Sequence, residues 1–567
     1  MGGERARARA TVIALGMSGG YHDAAAALVV DGVLVGALQE ERISRIKHDP
    51  GLPIGAALAL LAQEGLSPQD VASVFFHEDP YAHLERVLLW SLRSFPKGLK
   101  AFPQAMRKQL GSDLWVLDSI AEGLGIPRGR IHKGEHHRSH AASAFLCSPF
   151  EQAAILTVDG VGEHHSTGLW QGQGAQISCL GQLELPHSLG LLWAGVTGWM
   201  GLAVNRGEHE VMGLAAHGQP RFSGVFERWL TQSDDGSFEL DPAPLAWLSD
   251  PECGFGPAME AALGPARAFN ARWSLQDPDF QLRADVAASL QQRTNEVLLG
   301  LATALHERTA SPNLCVAGGV ALNCRAIAHI QAHGPFEQVF VQPAAGDAGG
   351  ALGAVLSGLG IRAPMHHAAW GVCCDAGRAQ DLATELGMKV ERVEDPVQRA
   401  AAHLAQGQAL AWVKGRCEWG PRGLGNRAIL ASAADEALGV RLSTQVKPRA
   451  PFRPFAPIVS NTSFSEHFEG RPDLCTPFMT TLRQSRNDLS PATTHVDGSA
   501  RVQSVGPEDA LHEVLAAFEK ESGQSVLLNT SLNGPGDPAV ARETDALAWL
   551  MAHPGTPMLI DDLWIQT

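Results

Sequence analysis

Short apolar runs broken by small or acidic turn residues dominate the opening of the chain. "TVIALG", "AAALVV" and "VLVGALQ" have the length and composition of strands, and Gly-rich or Asp-Gly turns separate them. The pattern predicts strands at 11–16, 23–30 and 33–39, the last two joined at Asp31–Gly32. A second stretch repeats the outline. Strand 153–158 ends at Asp159–Gly160, a polar turn carries His164 and His165, and strand 166–171 turns again at Gly172 to Gly174.

Such a repeat suits an internally duplicated α/β fold of the actin-like ATPase kind, in which paired hairpin turns hold phosphate. Two unrelated hairpins would leave the same trace. Apolar residues at helical spacing predict a helix over 283–306. It leads into "LCVAGGVALNC", an apolar strand that opens onto Gly318–Gly319, suited either to close approach by a nucleotide or to a plain turn. A further strand delivers Asp347 into the small-residue run "GDAGGALGA", where its carboxylate serves as a helix cap or as a ligand and the small side chains let something approach the backbone. "EHHRSHAASAF" places His136 and His140 four residues apart on one helical face, the geometry of a metal clamp or of a solvated polar stripe.

Periodicity fades between about 362 and 385. This predicts a first domain over 1–365, a linker over 366–385 and a second α/β domain over 386–567, with strands at 409–413, 455–459, 525–529 and near 558–561. At 567 residues the chain exceeds one hydrophobic core. A net charge of −16 without a sustained basic face argues against nucleic acid and anionic membrane as partners. The 9 cysteines form no C-x-x-C pair, and no apolar stretch reaches membrane-spanning length, so a reduced, cytoplasmic protein is expected.

One block departs from the acidic balance. "VKGRCEWGPRGLGNRAIL" carries Lys414, Arg416, Arg422 and Arg427, and "STQVKPRAPFRPFAPIV" adds Lys447, Arg449 and Arg453. Arg501 follows in "HVDGSARVQSV", and Asn529 and Thr530 end the strand of "LLNTSLN". Guanidinium forks set among Gly, Pro and Phe suit a small phosphorylated or carboxylated ligand, or salt bridges between domains. No Walker A motif is present.

Taken together, "GYHDAAAALV", "EERISRIKHD", "HHRSHAASAF", "LTVDGVGEHHST", "VMGLAAHG", "LCVAGGVALNC", "GDAGGALGA", "GRCEWGPRGLGNRAIL", "VKPRAPFRPFAP", "HVDGSARVQSV" and "LLNTSLN" resemble, in order, the NodU/CmcH carbamoyltransferases. The resemblance implies an actin-like, TsaD-like N-terminal domain and a YrdC-like C-terminal domain. It implies that ATP and carbamoyl phosphate form a carbamoyl-adenylate whose carbamoyl group passes to a hydroxyl or amine of a small specialised metabolite, such as an antibiotic precursor. It further implies that Lys414, Arg416, Arg422, Arg427, Lys447, Arg453 and Arg501, with Asn529 and Thr530, bind carbamoyl phosphate. His136, His140, Asp159 and Asp347 are implied to hold a divalent metal, Fe(II) by the family and Mn(II) or Zn(II) by donor chemistry, with Mg2+ able to accompany ATP. Gly318, Gly319 and Asn323 would border the nucleotide. His22 would take the acceptor's proton as a neutral imidazole, and Lys47 would contact the adenylate. A homodimer fits the family. Glu210 replaces the lysine usual before "VMGLA", and His217 replaces a tyrosine, both near the expected acceptor mouth. The competing reading is a small-molecule kinase or ATPase of the same superfamily, to which the Arg-rich domain would be superfluous.

Overall fold

The computed structural model describes residues 12–93, 95, 102–246, 254–486, 490 and 492–567. The first sheet contains β1 (Ile13–Ser18), β2 (Ala25–Val30), β3 (Val33–Gln39), β4 (Ser73–Phe76) and β5 (Ile131–Lys133), in the spatial order β3-β2-β1-β4-β5. The second contains β6 (Gln152–Val158), β7 (His165–Gln173), β8 (Gln176–Glu184), β9 (Asn313–Ala317) and β10 (Gln338–Val341), in the order β10-β9-β6-β7-β8. Each sheet is an antiparallel meander of three strands followed by two parallel ones. The two orders are the same when read from the meander. The duplication that the hairpin pattern predicted is therefore present, and it extends to the parallel strands.

Symmetry also governs the helices. α1 (His136–Phe145) follows β5, the last strand of the first sheet, and a second helix, Asp347–Leu359, follows β10, the last strand of the second. The two pack against each other between the sheets. One core joins Ala14 and Ala27 of the first sheet, Ile155 and Cys315 of the second, and Ala141, Ala144, Ala351 and Leu352 of the helices. Their small residues are a steric requirement. A Cβ on Gly353 would lie 1.8 Å from the Ser139 carbonyl oxygen, and one on Gly16 would lie 1.9 Å from that of Ala351. What approaches the backbone along "GDAGGALGA" is thus α1 and β1. The predicted helix at 283–306 runs over Phe280–Thr309 and buries Leu290, Val297, Leu301 and Leu305 in a second core.

The C-terminal domain is built on an eight-stranded mixed sheet. Its strands are β11 (Lys389–Arg392), β12 (Leu410–Val413), β13 (Arg427–Ser432), β14 (Ala456–Ser460), β15 (Gln503–Val505), β16 (Val526–Ser531), β17 (Met558–Ile560) and β18 (Leu563–Gln566), in the order β11-β18-β17-β12-β13-β16-β14-β15. Trp419, Leu424, Phe478 and Met479 extend from this domain into the core of the first, so the two share packed apolar surface. The stretch expected as a linker at 366–385 is structured. Ala369–Cys373 pairs antiparallel with Arg416–Glu418, and Ala376–Glu385 forms a helix capped by Asp375. Paired only at its two ends, that strand is too short and irregular to leave a period in the sequence. Among the described residues, no helix is long and apolar enough to cross a membrane.

Candidate functional site

The duplicated halves converge on one cluster. Asp159 lies in the turn after β6, and His22 lies in the corresponding turn after β1. His136 and His140 come from α1, and Asp347 opens the helix that corresponds to it in the second half. Ligand-type atoms of His136, His140, Asp159 and Asp347 all lie within 4.8 Å of one another. Nε2 of His140 lies 2.8 Å from Oδ2 of Asp159, 3.5 Å from Oδ1 of Asp347 and 3.1 Å from Nε2 of His136. Nε2 of His136 lies 3.3 Å from Asp159. The spacing of four residues therefore points both imidazoles at one pair of carboxylates. The intervening His137 points elsewhere, between the Thr157 hydroxyl at 3.0 Å and the His165 carbonyl at 2.9 Å. Burial, helped by His136 and His140, pushes His137 down to about 3, so it is a neutral core residue.

Burial alone would lower the other two imidazoles. Asp159, Glu78 and Asp347 instead hold His136 well above the usual histidine range, and Asp159 and Asp347 raise His140. Burial would raise the Asp159 carboxyl, and the same two histidines hold it far below. Two nitrogens and two carboxylate oxygens facing one point form a donor set of the kind that Fe(II), Mn(II) or Zn(II) takes, so the residues fit a divalent metal.

His22 adjoins the cluster. Its Nε2 lies 3.5 Å from Asp347, and its Nδ1 lies 3.2 Å from Asp23. Burial opposes protonation, but Asp347 and Asp23 overcome it and raise His22 to about 9. Asp23 also holds His48 at 2.8 Å. Lys47 sits 3.2 Å from the buried Glu41.

Gly318 adopts φ +94° in a turn packed on the end of β6, and a Cβ on Gly319 would lie 3.0 Å from Asp159 Oδ1. This pair thus borders the cluster. Asn323 is buried, caps the following helix through Ala326 N–H, and exchanges hydrogen bonds with Gln291.

The basic residues of the C-terminal domain divide into two groups. Three are structural. Arg427 is fully buried and donates to the carbonyls of Lys414, Gly415, Asn426, Val372 and Ala541. Arg416 reaches the first domain, at Val35 O and at Glu64 2.8 Å away. Lys414 pairs with Asp561 at 3.2 Å on the surface. The other group is Arg422, Arg449, Arg453, Arg501 and Lys447, which crowd together. Burial, Arg501 and Arg453 push Arg422 down to about 9. Burial with Arg449, Arg453 and Lys47 holds Lys447 well below the usual lysine range. Buried nitrogens of Arg449 and Arg501 have no hydrogen-bond partner among the described residues. Glu210 faces Arg453 at 3.9 Å.

Arg449, Arg453 and Arg501 line a cavity of about 90 Å³ with His209, Cys324 and His495. Lys447 donates to Ser531 and Asn533. Asn529 donates to Gly423 and Gln503, leaving its Oδ1 without a partner, and Thr530 pairs opposite Ile429 in the sheet. His217, the second departure from the family pattern, packs edge-on against His495 and Phe452 beside this cavity.

α2 (Glu208–Leu214) runs between the two sites. Burial first, then its own and the Asn205 backbone N–H, and then His22 and His48 act on Glu208, whereas His209 senses Arg453, Arg422 and Arg501 after burial. Sequence reading missed Glu78, Glu163 and Asp23. Glu163 accepts from the His136 backbone N–H at 2.9 Å and from that of Asp79 at 3.0 Å. A carboxylate three residues after the Asp159–Gly160 turn was the available signal.

Comparison with known proteins is consistent across the chain. The family model described as carbamoyltransferase N-terminus matches residues 13–356, and that described as carbamoyltransferase C-terminus matches residues 401–567. The nodulation protein NolNO of Sinorhizobium fredii is 35% identical over 94% of this chain and 80% of its own length. The 3'-hydroxymethylcephem-O-carbamoyltransferase of Streptomyces clavuligerus is 29% identical over 96% of this chain and 97% of its own. Among solved structures, component A of (R)-2-hydroxyglutaryl-CoA dehydratase from Acidaminococcus fermentans aligns at 13% identity and a TM-score of 0.34, over 62% of this chain and 99% of its own. Both halves of the chain thus match one enzyme family, and the protein is a member of the carbamoyltransferases.

Proposed function

We propose that the protein uses ATP and carbamoyl phosphate to carbamoylate a hydroxyl or amine of a small specialised metabolite through a carbamoyl-adenylate. One observation carries this reading: Arg422, Arg449, Arg453, Arg501 and Lys447 share a buried site with more positive charge than the facing Glu210 can balance. Unpaired buried guanidinium groups are costly, so such a site calls for a compact polyanion. Carbamoyl phosphate supplies a dianion together with an amide that Asn529 Oδ1 can accept from. A cephem O-carbamoyltransferase among the relatives supports a small-molecule acceptor.

In this reading water cleaves the donor in the basic site, releasing inorganic phosphate and leaving carbamate. The resulting carbamate attacks the α-phosphorus of ATP and releases pyrophosphate. The acceptor then attacks the carbamoyl carbon, and AMP leaves. A divalent ion held by His136, His140, Asp159 and Asp347 would neutralise the carboxylates and polarise a bound oxygen. His22, oriented through Nδ1 by Asp23, is placed to hold or accept a proton at Nε2. Lys47 would stabilise charge on the adenylate. Gly318 and Gly319 give the nucleotide a backbone wall beside Asp159.

Phosphorus NMR of the products tests the reading. Pyrophosphate and AMP are expected when carbamoyl phosphate accompanies ATP. ADP formation with a hydroxyl acceptor in the absence of carbamoyl phosphate would make the protein a kinase and overturn it.

A further inference from the structure

His136 and His140 present the same atom to the cluster but differ on the far side of the ring. Nδ1 of His140 is buried and has no hydrogen-bond partner among the described residues. Nδ1 of His136 is also buried and has no hydrogen bond, yet Oε2 of Glu78 lies 3.8 Å from it. Glu78 is approached by two further imidazoles, His77 Nε2 at 3.9 Å and His83 Nδ1 at 3.8 Å.

The approach is fixed by the backbone. The segment after β4 is fastened to the start of α1 at several points. The Gly134 N–H donates to the Phe76 carbonyl at 2.7 Å, and the Ser139 hydroxyl donates to that of His77 at 2.8 Å. Glu163 clamps the Asp79 and His136 N–H groups with one carboxylate oxygen. A Cβ on Gly350 would meet the His77 ring at 3.1 Å, so the second half of the duplicated fold supports the same segment. Three elements thus hold a carboxylate behind a single imidazole of the pair.

We propose that Glu78 is a positioning residue for the metal-type cluster: its carboxylate, 3.8 Å from Nδ1 of His136, draws in to accept that proton when a cation binds, which fixes the tautomer and aims the Nε2 lone pair at the site shared with Asp159 and Asp347. A ring nitrogen that binds a cation needs its partner nitrogen protonated and oriented, and a carboxylate behind the ring raises its basicity. His140 has no such support, so the two histidines contribute unequally. Glu78 acts through His136 alone.

The inference rests on the metal reading of the cluster, and the experiment separates the two. Full-length wild type, Glu78→Ala and Glu78→Gln are titrated with Fe(II) and with Co(II) against a competing chelator, and bound metal is counted per chain. Inorganic phosphate binding at the basic site, which does not include Glu78, reports that each variant is folded. Wild type is expected to bind one ion per chain, with Glu78→Ala weaker by roughly 100-fold and Glu78→Gln, which keeps an acceptor, weaker by roughly 10-fold. The Co(II) absorption spectrum should shift in both variants. Absence of specific metal in wild type would defeat the metal reading itself. Metal bound by wild type with equal affinity in all three proteins would overturn the role of Glu78. So would two ions per wild-type chain with one lost in Glu78→Ala, because Glu78 would then be a ligand.

Discussion

The two buried charged sites of this molecule are built on opposite principles. Around Asp159 and Asp347, two imidazoles and two carboxylates compensate one another: the carboxylates raise the histidines, and the histidines, with His22, lower the carboxyls. Around Arg453 and Arg501, the cations depress one another, and Glu210 is the carboxylate that faces them. The first site is a balanced donor set in which a metal ion would replace protons. The second is unbalanced and gains most from an incoming anion. The proposed reaction, which activates a phosphorylated donor in one place and discharges it in another, would use both kinds. α2 lies against both: Glu208 senses His22 and His48, and the adjacent His209 senses Arg453, Arg422 and Arg501.

The comparison can be broken at the balanced site first. Asp159→Asn removes one of two carboxylates shared by His136 and His140. It should abolish metal retention and lower turnover by on the order of 1,000-fold, measured by metal analysis and single-turnover kinetics. Retained metal with full turnover would remove the cluster from the chemistry. The next effect separates two arginines of one sequence block. Arg427→Ala removes a guanidinium that donates to five backbone carbonyls, of which those of Lys414 and Asn426 keep a second donor, and should cost about 3–5 kcal/mol of stability, seen as a lowered Tm.

Arg501→Ala should leave the Tm nearly unchanged and raise the carbamoyl phosphate KM roughly 100-fold, equivalent to about 3 kcal/mol. The smallest effect sharpens the unbalanced site. Glu210→Gln removes the counter-charge of Arg453 and should lower the donor KM by a few-fold, at about 0.5–1 kcal/mol, with kcat little changed. An increase in KM would place Glu210 in donor recognition instead.

The contrast between Arg427 and Arg501 also shows where sequence stops being informative. The duplicated hairpins were legible because a buried meander writes its strands as apolar runs closed by Asp-Gly turns, whereas the order of the parallel strands beside them is set by distant crossovers and left no such trace. The i, i+4 pair His136 and His140 was legible because helical geometry fixes their common face. Nothing local distinguishes Lys414, Arg416, Arg422 and Arg427, which lie in one Gly-rich block. The first is a surface ion pair, the second a strut to Glu64, the third a member of the cationic cluster and the fourth a buried brace. Those fates depend on β12, β13 and the first domain meeting around them, and that is tertiary information. Glu78 was invisible for the same reason. It is adjacent to His136 through the parallel pairing of β4 with β5 and the Glu163 clamp.

Exchange of labelled pyrophosphate into ATP, run with and without carbamoyl phosphate, tests the central claim most directly. Wild type should catalyse exchange that depends strictly on the donor, and Arg453→Ala and Arg501→Ala should lose it at donor concentrations that saturate wild type. Exchange that proceeds without carbamoyl phosphate, or that survives unchanged in both arginine variants, would contradict the assignment of the cationic cluster to the donor.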